Sequence, residues 1–244
     1  QIVQTFFYKA LILVCLGVNC LGIIEVRRES AVEQVNMKCS VYDAVVVGGG
    51  MVGAATAIGL GQLGLKVAVI EAFAPRAYDS EQALDLRVSA ISVASEALLE
   101  RLGALTGLDH VRKVAYKGLE TWEIDDCITR FHSDQIGCSH LGHIVENRLI
   151  QLALWQRLQQ LDNIALFCPT KIAKLTRKQA DDKICVELDN GETFDTRLLV
   201  GANGANSMVR QWANIGISGW DYAQSAMLIN IETACDEQDV TWQQ

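Results

Sequence analysis

Basic residues are in short supply. The chain carries 21 lysines and arginines against 29 aspartates and glutamates, for a formal net charge of −8. A nucleic acid wants a basic face, so no nucleic-acid partner is expected. A local phosphate site built from backbone N–H groups remains open. Proline is scarcer still, at 2 residues in 244, and charged residues make up only 20%, which argues against wholesale disorder. Half of the residues are hydrophobic, enough for the buried core of one large or two small domains. No period of about 20 to 50 residues recurs, which excludes a repeat array.

Paired cysteines are also missing. The eight cysteines, Cys15, Cys20, Cys39, Cys127, Cys138, Cys168, Cys185 and Cys235, include no CxxC spacing, so neither a zinc ribbon nor a thioredoxin-type pair is present. No CxxxxC pair lies near the first helix, which argues against a flavin disulfide reductase. The cysteines read as buried free thiols of a reducing compartment. Of the four histidines, His140 and His143 sit three apart in "HLGH". A glycine separates them and no third ligand is obvious, so no metal site is expected.

The chain has no long apolar run of membrane-spanning length. Residues 10 to 24, "ALILVCLGVNCLGII", fall short of the roughly 20 residues that a span needs. Only Lys9 precedes the run, and no small-x-small cleavage site follows, so it fits a signal peptide poorly. Arg27 and Arg28 after it would keep the C-terminal side in the cytoplasm if the run inserted. The first methionine is Met37. Residues 1–36 are therefore read as an extension outside the main domain, from upstream translation or as a weak anchor, with the natural start expected at Met37.

What the chain does have is glycine at two informative places. In "VYDAVVVGGGMVGAATAIGLGQLGLKVAVIE", residues 41–47 read as a buried strand and residues 51–63 as a helix of small residues stopped by Gly64. "KVAVIE" is the next strand, ending at Glu71. Gly48, Gly50 and Gly53 form GxGxxG. Gly48 permits the tight turn, Gly50 lets backbone approach a pyrophosphate, and Gly53 lets helix pack against strand. The helix start offers N–H groups and partial positive charge to phosphates. Glu71 follows Gly50 at the distance from which a carboxylate accepts hydrogen bonds from a ribose diol. That carboxylate would repel a ribose phosphate, so the ligand is FAD or NAD rather than NADP.

Beyond Glu71 the sequence loosens through "AFAPRAYDSEQALD". "LRVSAISVASEALLERLGAL" then reads as a polar turn followed by a helix, with Leu98, Leu99, Leu102 and Leu105 at helical spacing. Arg87 precedes that helix. It reads as a surface cation, or as a contact to the cofactor pyrophosphate or isoalloxazine region. "YKGLETWEI" and "ITRFHS" read as short strands, a β-rich excursion at about residues 112–143. "HIVENRLIQLALWQRLQQL" returns to strand and helix, with Asn147 as N-cap and Leu149, Leu152, Ala153 and Leu158 as the buried stripe. "IALFC", "KIAKLT", "KICVELDNGETFDT" and "RLLVGA" follow as strands, with a hairpin turn at Asn190-Gly191.

The second glycine turn is "GANGANSMVR", residues 201–210. A strand at 198–201 enters it, and a helix is expected from Ser207. Together with GGGMVG it resembles the flavoprotein monooxygenases of the para-hydroxybenzoate hydroxylase type, whose later segment reads GADGxxSxVR. Gly201, Gly204, Ser207, Val209 and Arg210 match, and Asn203 stands where the family has Asp. "LRVSAIS", "LETWE", "VENRLIQLALW", "WDYAQSAMLI" and "TWQQ" narrow the resemblance to the ubiquinone-biosynthesis branch, over residues 41 to 244.

The resemblance implies an α/β fold, with an FAD/NAD(P)-binding Rossmann-like domain over residues 37–213. Residues 214–244 would begin a second, antiparallel β-sheet substrate domain. The family's later GD-containing segment is not in the chain, which would thus be the N-terminal part of a longer enzyme. It implies an FAD-dependent monooxygenase that hydroxylates a polyprenylated benzoquinol ring with NAD(P)H and O2. Such chemistry belongs to the cofactor, and no catalytic triad is visible. Gly48, Gly50 and Gly53 would serve the pyrophosphate, Glu71 the adenosine ribose and Arg87 the flavin side. Asn203 and Gly204 would lie near the phosphates and ribityl chain. The quinol would come from a membrane, to a cytoplasmic enzyme peripheral to the inner membrane and in a biosynthetic complex. Two other readings remain open: an NAD-dependent dehydrogenase, which leaves GANGANS unexplained, and a truncated flavoprotein without turnover.

Overall fold

The computed structural model describes residues 40–178, 181–234 and 238–244. The apolar run at 10–24, Met37, Cys15, Cys20, Cys39 and Cys235 lie outside them. The chain divides into two compact units. The first runs to Pro75 and resumes over Leu154–Trp220; the second comprises Arg76–Ala153 and Asp221–Gln244. Among the described residues, no helix is long and apolar enough to cross a membrane.

The first unit is built on a six-stranded sheet. Its strands are β1 (Ser40–Val47), β2 (Val67–Ile70), β8 (Ile164–Phe167), β9 (Ile172–Lys178), β10 (Lys183–Leu188) and β11 (Thr193–Gly201). Their order is β8-β2-β1-β11-β10-β9. The first four are parallel, and β10 and β9 continue the sheet antiparallel. A parallel strand covered on both faces needs an unbroken apolar run, and Ala44, Val45, Val46 and Val47 in β1 are all buried. Helix α1 (Met51–Gln62) packs on β1, β2 and β8. Its small residues allow a close approach: a Cβ on Gly61 would stand 2.7 Å from Ile164 Cδ1. The helix ends where the Asn163 amide donates to the Gly61 and Leu65 carbonyls, each at 2.8 Å. That satisfies backbone acceptors that a helix end leaves open. Elsewhere in the core Phe194 meets Tyr42 edge-on at 5.2 Å and Phe167 at 4.6 Å.

The hairpin turn at Asn190-Gly191 forms, with Gly191 at φ +86°. It is closed by Gly191 N–H to the Leu188 carbonyl at 3.0 Å and Leu188 N–H to the Glu192 carbonyl at 2.9 Å. The two strands read on either side of residue 197 are one strand, β11. Residues Phe194 to Thr196 pair with β10 on one edge and β1 on the other, which leaves no break for a turn.

The second unit holds two small sheets. One has β3 (Val88–Ser92), β7 (Gly142–Glu146) and β4 (Lys113–Tyr116) in the order β3-β7-β4, all antiparallel. The other has β12 (Val240–Gln243), β5 (Gly118–Thr121) and β6 (Thr129–His132), with β12 parallel to β5. Residues 88–92, read as a polar turn, are a strand. "VSAIS" alternates exposed and half-buried positions, the period of a sheet edge that is too short to stand out beside a leucine-rich helix. That helix, α2 (Val93–Leu102), follows directly.

Helix α3 (Asn147–Leu158) forms as expected. Its buried set is Leu149, Ile150, Ala153, Leu154, Trp155 and Leu158; Leu152 is only half-buried. Asn147 opens the helix, and its side-chain oxygen accepts from the Ser89 hydroxyl at 2.6 Å. The buried-thiol reading also fails where it is testable. Cys127 is exposed, while Cys138, Cys168 and Cys185 are half-buried.

Charges organise the loose segment after Arg76. The Glu146 side chain, 3% exposed, accepts from the Asp85 N–H at 2.6 Å and pairs with Arg112 at 3.1 Å. Arg148 pairs with Asp85 at 2.8 Å and donates to the Arg76 and Ala77 carbonyls. A buried carboxylate is tolerable only when paired and hydrogen-bonded, and these contacts supply both.

Candidate functional site

Both glycine turns lie at the C-terminal ends of neighbouring parallel strands. In the register, Val47 of β1 pairs with Gly201 of β11 on one side and Ile70 of β2 on the other. The Ala202 N–H donates to the Val47 carbonyl at 2.7 Å, and the Gly48 N–H donates to the Ile70 carbonyl at 2.8 Å. Gly48 has φ +105°, and a Cβ there would stand 2.4 Å from the Ala202 oxygen. Gly53 is equally constrained: its Cβ would stand 1.8 Å from the Gly48 oxygen. The first and last fingerprint glycines are therefore required by protein–protein contact alone. Gly50 differs. It has ordinary extended dihedrals as the N-cap of α1, and a Cβ on it would meet nothing within 4 Å. Its glycine leaves room on the open side of the turn.

Gly49, which is not one of the fingerprint positions, is clamped through both of its backbone groups. Its N–H donates to Glu71 Oε2 at 2.6 Å. Its carbonyl accepts from the buried Trp155 indole Nε1–H, also at 2.6 Å. Removing the indole would cost that carbonyl a hydrogen bond, about 0.5–1.5 kcal/mol. Trp155 was legible only as a member of an apolar helix. The available signal was that a buried indole N–H must find an acceptor.

β2 stops at Ile70, one residue short of the expected end, and Glu71 follows it directly; its second oxygen, Oε1, accepts from the Phe73 N–H at 3.0 Å. A carboxylate offers about four acceptor positions, so these two bonds leave capacity for hydroxyl donors. Its charge also reaches Cys168. Burial pushes that thiol above its ordinary pKa, and the negative charge of Glu71 pushes it further.

In the second turn, Gly204 has φ +83° and open space where a Cβ would sit. The Asn203 side-chain oxygen accepts from the Ser207 hydroxyl. Ser207 is the N-cap of α4 (Met208–Trp212), and its Oγ accepts from the Arg210 N–H at 3.2 Å. This task needs an acceptor, which Asn and Asp share, and not a charge. Arg210 is buried and donates to the Ala205 and Ile215 carbonyls. Arg87, in the second unit, has an exposed side chain, and its carbonyl accepts from the Asn147 N–H at 3.0 Å.

These residues fit a dinucleotide. Gly50 and Gly204 leave the space that a Cβ would fill. The α1 N-terminus has no acidic residue in its first turn, so its positive end is not neutralised from within. The Glu71 carboxylate, with acceptor sites to spare, directly follows the neighbouring strand.

Two outcomes follow from this geometry. Gly48→Ala should destabilise the chain by about 2–5 kcal/mol, combining left-handed strain with overpacking. Gly50→Ala should change stability by less than about 1 kcal/mol, because the reduced entropy of the unfolded chain opposes the loss of a favoured N-cap residue. Urea denaturation measures both, and equal losses in the two variants would contradict the assignment. Second, Glu71→Gln removes the charge that raises the Cys168 pKa, so more thiolate is present at mildly alkaline pH. Alkylation of the Cys168 peptide, followed by mass spectrometry against pH, should shift to lower pH in the variant. An unshifted profile would contradict the coupling.

A family profile described as an FAD binding domain matches residues 41–242. The chain is 43% identical over 202 residues to 3-demethoxyubiquinol 3-hydroxylase of Escherichia coli (strain K12), covering 83% of this chain and 51% of that protein. It is 33% identical over 218 residues to the mitochondrial ubiquinone biosynthesis monooxygenase COQ6 of Homo sapiens, covering 84% of this chain and 46% of that one. The chain thus spans about half the length of these curated relatives. Among solved structures, pqsL, a probable FAD-dependent monooxygenase from Pseudomonas aeruginosa, superposes with a TM-score of 0.62 at 20% identity. That match covers 75% of this chain and 48% of that one, and at this identity it speaks for the fold. With strand, glycine turn, helix and terminal acid in place and the profile running through nearly all described residues, the chain belongs to the FAD-binding domain family.

Proposed function

We propose that the protein spanned by this chain is an FAD-dependent aromatic-ring monooxygenase. It would hydroxylate a polyprenylated benzoquinol in ubiquinone biosynthesis, with NAD(P)H as electron donor and O2 as oxygen source. The observation that carries the cofactor assignment is the pairing of the two glycine turns across β1 and β11, with open space at Gly50. The relatives named for ubiquinone biosynthesis support the substrate class.

The residues have distinct tasks in this reading. The N–H groups that begin α1 hold the pyrophosphate, and Gly50 keeps their approach clear. Gly48 and Gly53 hold the turn in shape. Glu71 accepts from the adenosine ribose while its bond to Gly49 fixes it against the turn. Asn203 and Gly204 line the phosphate and ribityl side, and Arg87 serves the flavin side. FAD, when bound, supplies the redox chemistry of ring hydroxylation; the protein supplies position and water exclusion. At Asn203 the family's carboxylate is replaced by an amide. The Ser207 bond survives that exchange and the charge does not, so any effect falls on nicotinamide-dependent flavin reduction more than on FAD affinity. An apolar polyprenyl tail favours delivery from a membrane, to a cytoplasmic protein peripheral to the inner membrane and associated with other enzymes of the route.

The test is an absorbance spectrum of the purified chain after incubation with FAD and removal of excess. A retained flavin band is expected, with FAD released intact on denaturation. Gly50→Val should fold yet retain far less flavin, because its side chain enters the space left at the turn. A folded, colourless parent chain would overturn the cofactor assignment.

A further inference from the structure

His140 and His143 do have a third partner. It is Glu96, more than forty residues away in sequence, on the first turn of α2. The fold brings the three together in the second unit. Ile91 and Ser92 of β3 pair with His143 and Gly142 of β7. Ser92 then caps α2 by accepting from the Ser95 N–H, and the Val93 N–H donates to the Leu141 carbonyl at 3.1 Å. The first turn of α2 is thereby set beside β7. Gly142, the glycine between the histidines, is what allows this: a Cβ there would stand 1.9 Å from the Ile91 oxygen.

Each Glu96 oxygen faces one ring. Oε1 lies 2.6 Å from His143 Nδ1, and Oε2 lies 2.9 Å from His140 Nε2. Ligand atoms from the three residues all lie within 4.8 Å of one another. A tetrahedral Zn2+ with bonds of about 2.0–2.1 Å would set its ligands roughly 3.3 Å apart, so a small spreading of these side chains admits an ion. The Glu96, His140 and His143 side chains are 15%, 24% and 22% exposed, which shelters the cluster and leaves a path for water. His140 carries a further mark: its other nitrogen, Nδ1, lies 2.8 Å from the Ser139 hydroxyl. An outer partner of this kind fixes the ring and presents Nε2 as the ligand atom.

We propose that Glu96, His140 and His143 form a divalent-metal site of the two-histidine, one-carboxylate type, taking Zn2+ or a similar first-row ion with water in the open position. The donor set suits such ions better than Mg2+ or Ca2+, which prefer oxygen. Binding moves the proton of a neutral ring to its other nitrogen, and a ring that carries two protons releases one to solvent. The ion joins α2 to β7 and stabilises the second unit by mass action.

The chain, first stripped with chelator, is titrated with Zn2+ by calorimetry and with Co2+ by absorbance. One equivalent should bind, with a raised melting temperature. The Co2+ spectrum should lack the intense charge-transfer band of thiolate ligation. The double variant His140→Ala/His143→Ala should bind at least about tenfold more weakly, since loss even of an outer partner costs that much. Cys138→Ser should bind as the parent does. Absence of saturable binding, a thiolate band, or undiminished affinity in a folded double variant would overturn the site. Should the double variant fail to fold, the stoichiometry and the Co2+ spectrum of the unaltered chain still decide.

Discussion

The Ala202 carbonyl occupies the place where a side chain on Gly48 would be. That exclusion depends on β1 and β11 being parallel neighbours, with Val47 opposite Gly201 and the Ala202 N–H bonded back to Val47. It joins two turns that are far apart in sequence at the C-terminal ends of two central strands of one sheet. The helix start at Gly50, the Glu71 carboxylate and the Asn203 turn take their places from it. A tight backbone–backbone contact tolerates no extra methylene, because protein interiors have no slack at that scale. The glycines at 48 and 53 are thus structural, whereas a side chain at 50 would meet open space.

Much of this was legible because it is local. GxGxxG lies between an apolar strand and a helix of small residues, and each glycine has a backbone reason of its own. The hairpin at Asn190-Gly191 and the helix start near Ser207 are likewise written in a few adjacent residues. The missed features are non-local. Trp155 reaches Gly49 across more than a hundred residues of chain, and Glu96 reaches two histidines that the sequence offered without a third ligand. β3 was missed for another reason: its alternation is short and merges into the start of a helix with stronger apolar spacing. The single strand β11 was read as two because only pairing on both edges shows its continuity.

The two units also differ in what holds them. The first unit is an apolar sheet with small-residue helix contacts. In the second, the segment after Arg76 is held by Glu146, Arg112, Asp85 and Arg148, a network that hydrophobic periodicity cannot reveal. These contacts give a stretch without any secondary-structure signal a defined path, although Arg112 Nε and Arg148 Nη2 are buried with no hydrogen-bond partner among the described residues.

The central claim is that the two glycine turns are walls of one FAD site. Amide hydrogen exchange of the chain with and without FAD, read by mass spectrometry, tests it directly. FAD should slow exchange both at the start of α1, from Met51, and across Asn203 to Ser207, while the hairpin at Asn190-Gly191 exchanges as before. Protection confined to the first turn, with the second exchanging as fast as without FAD, would contradict the claim.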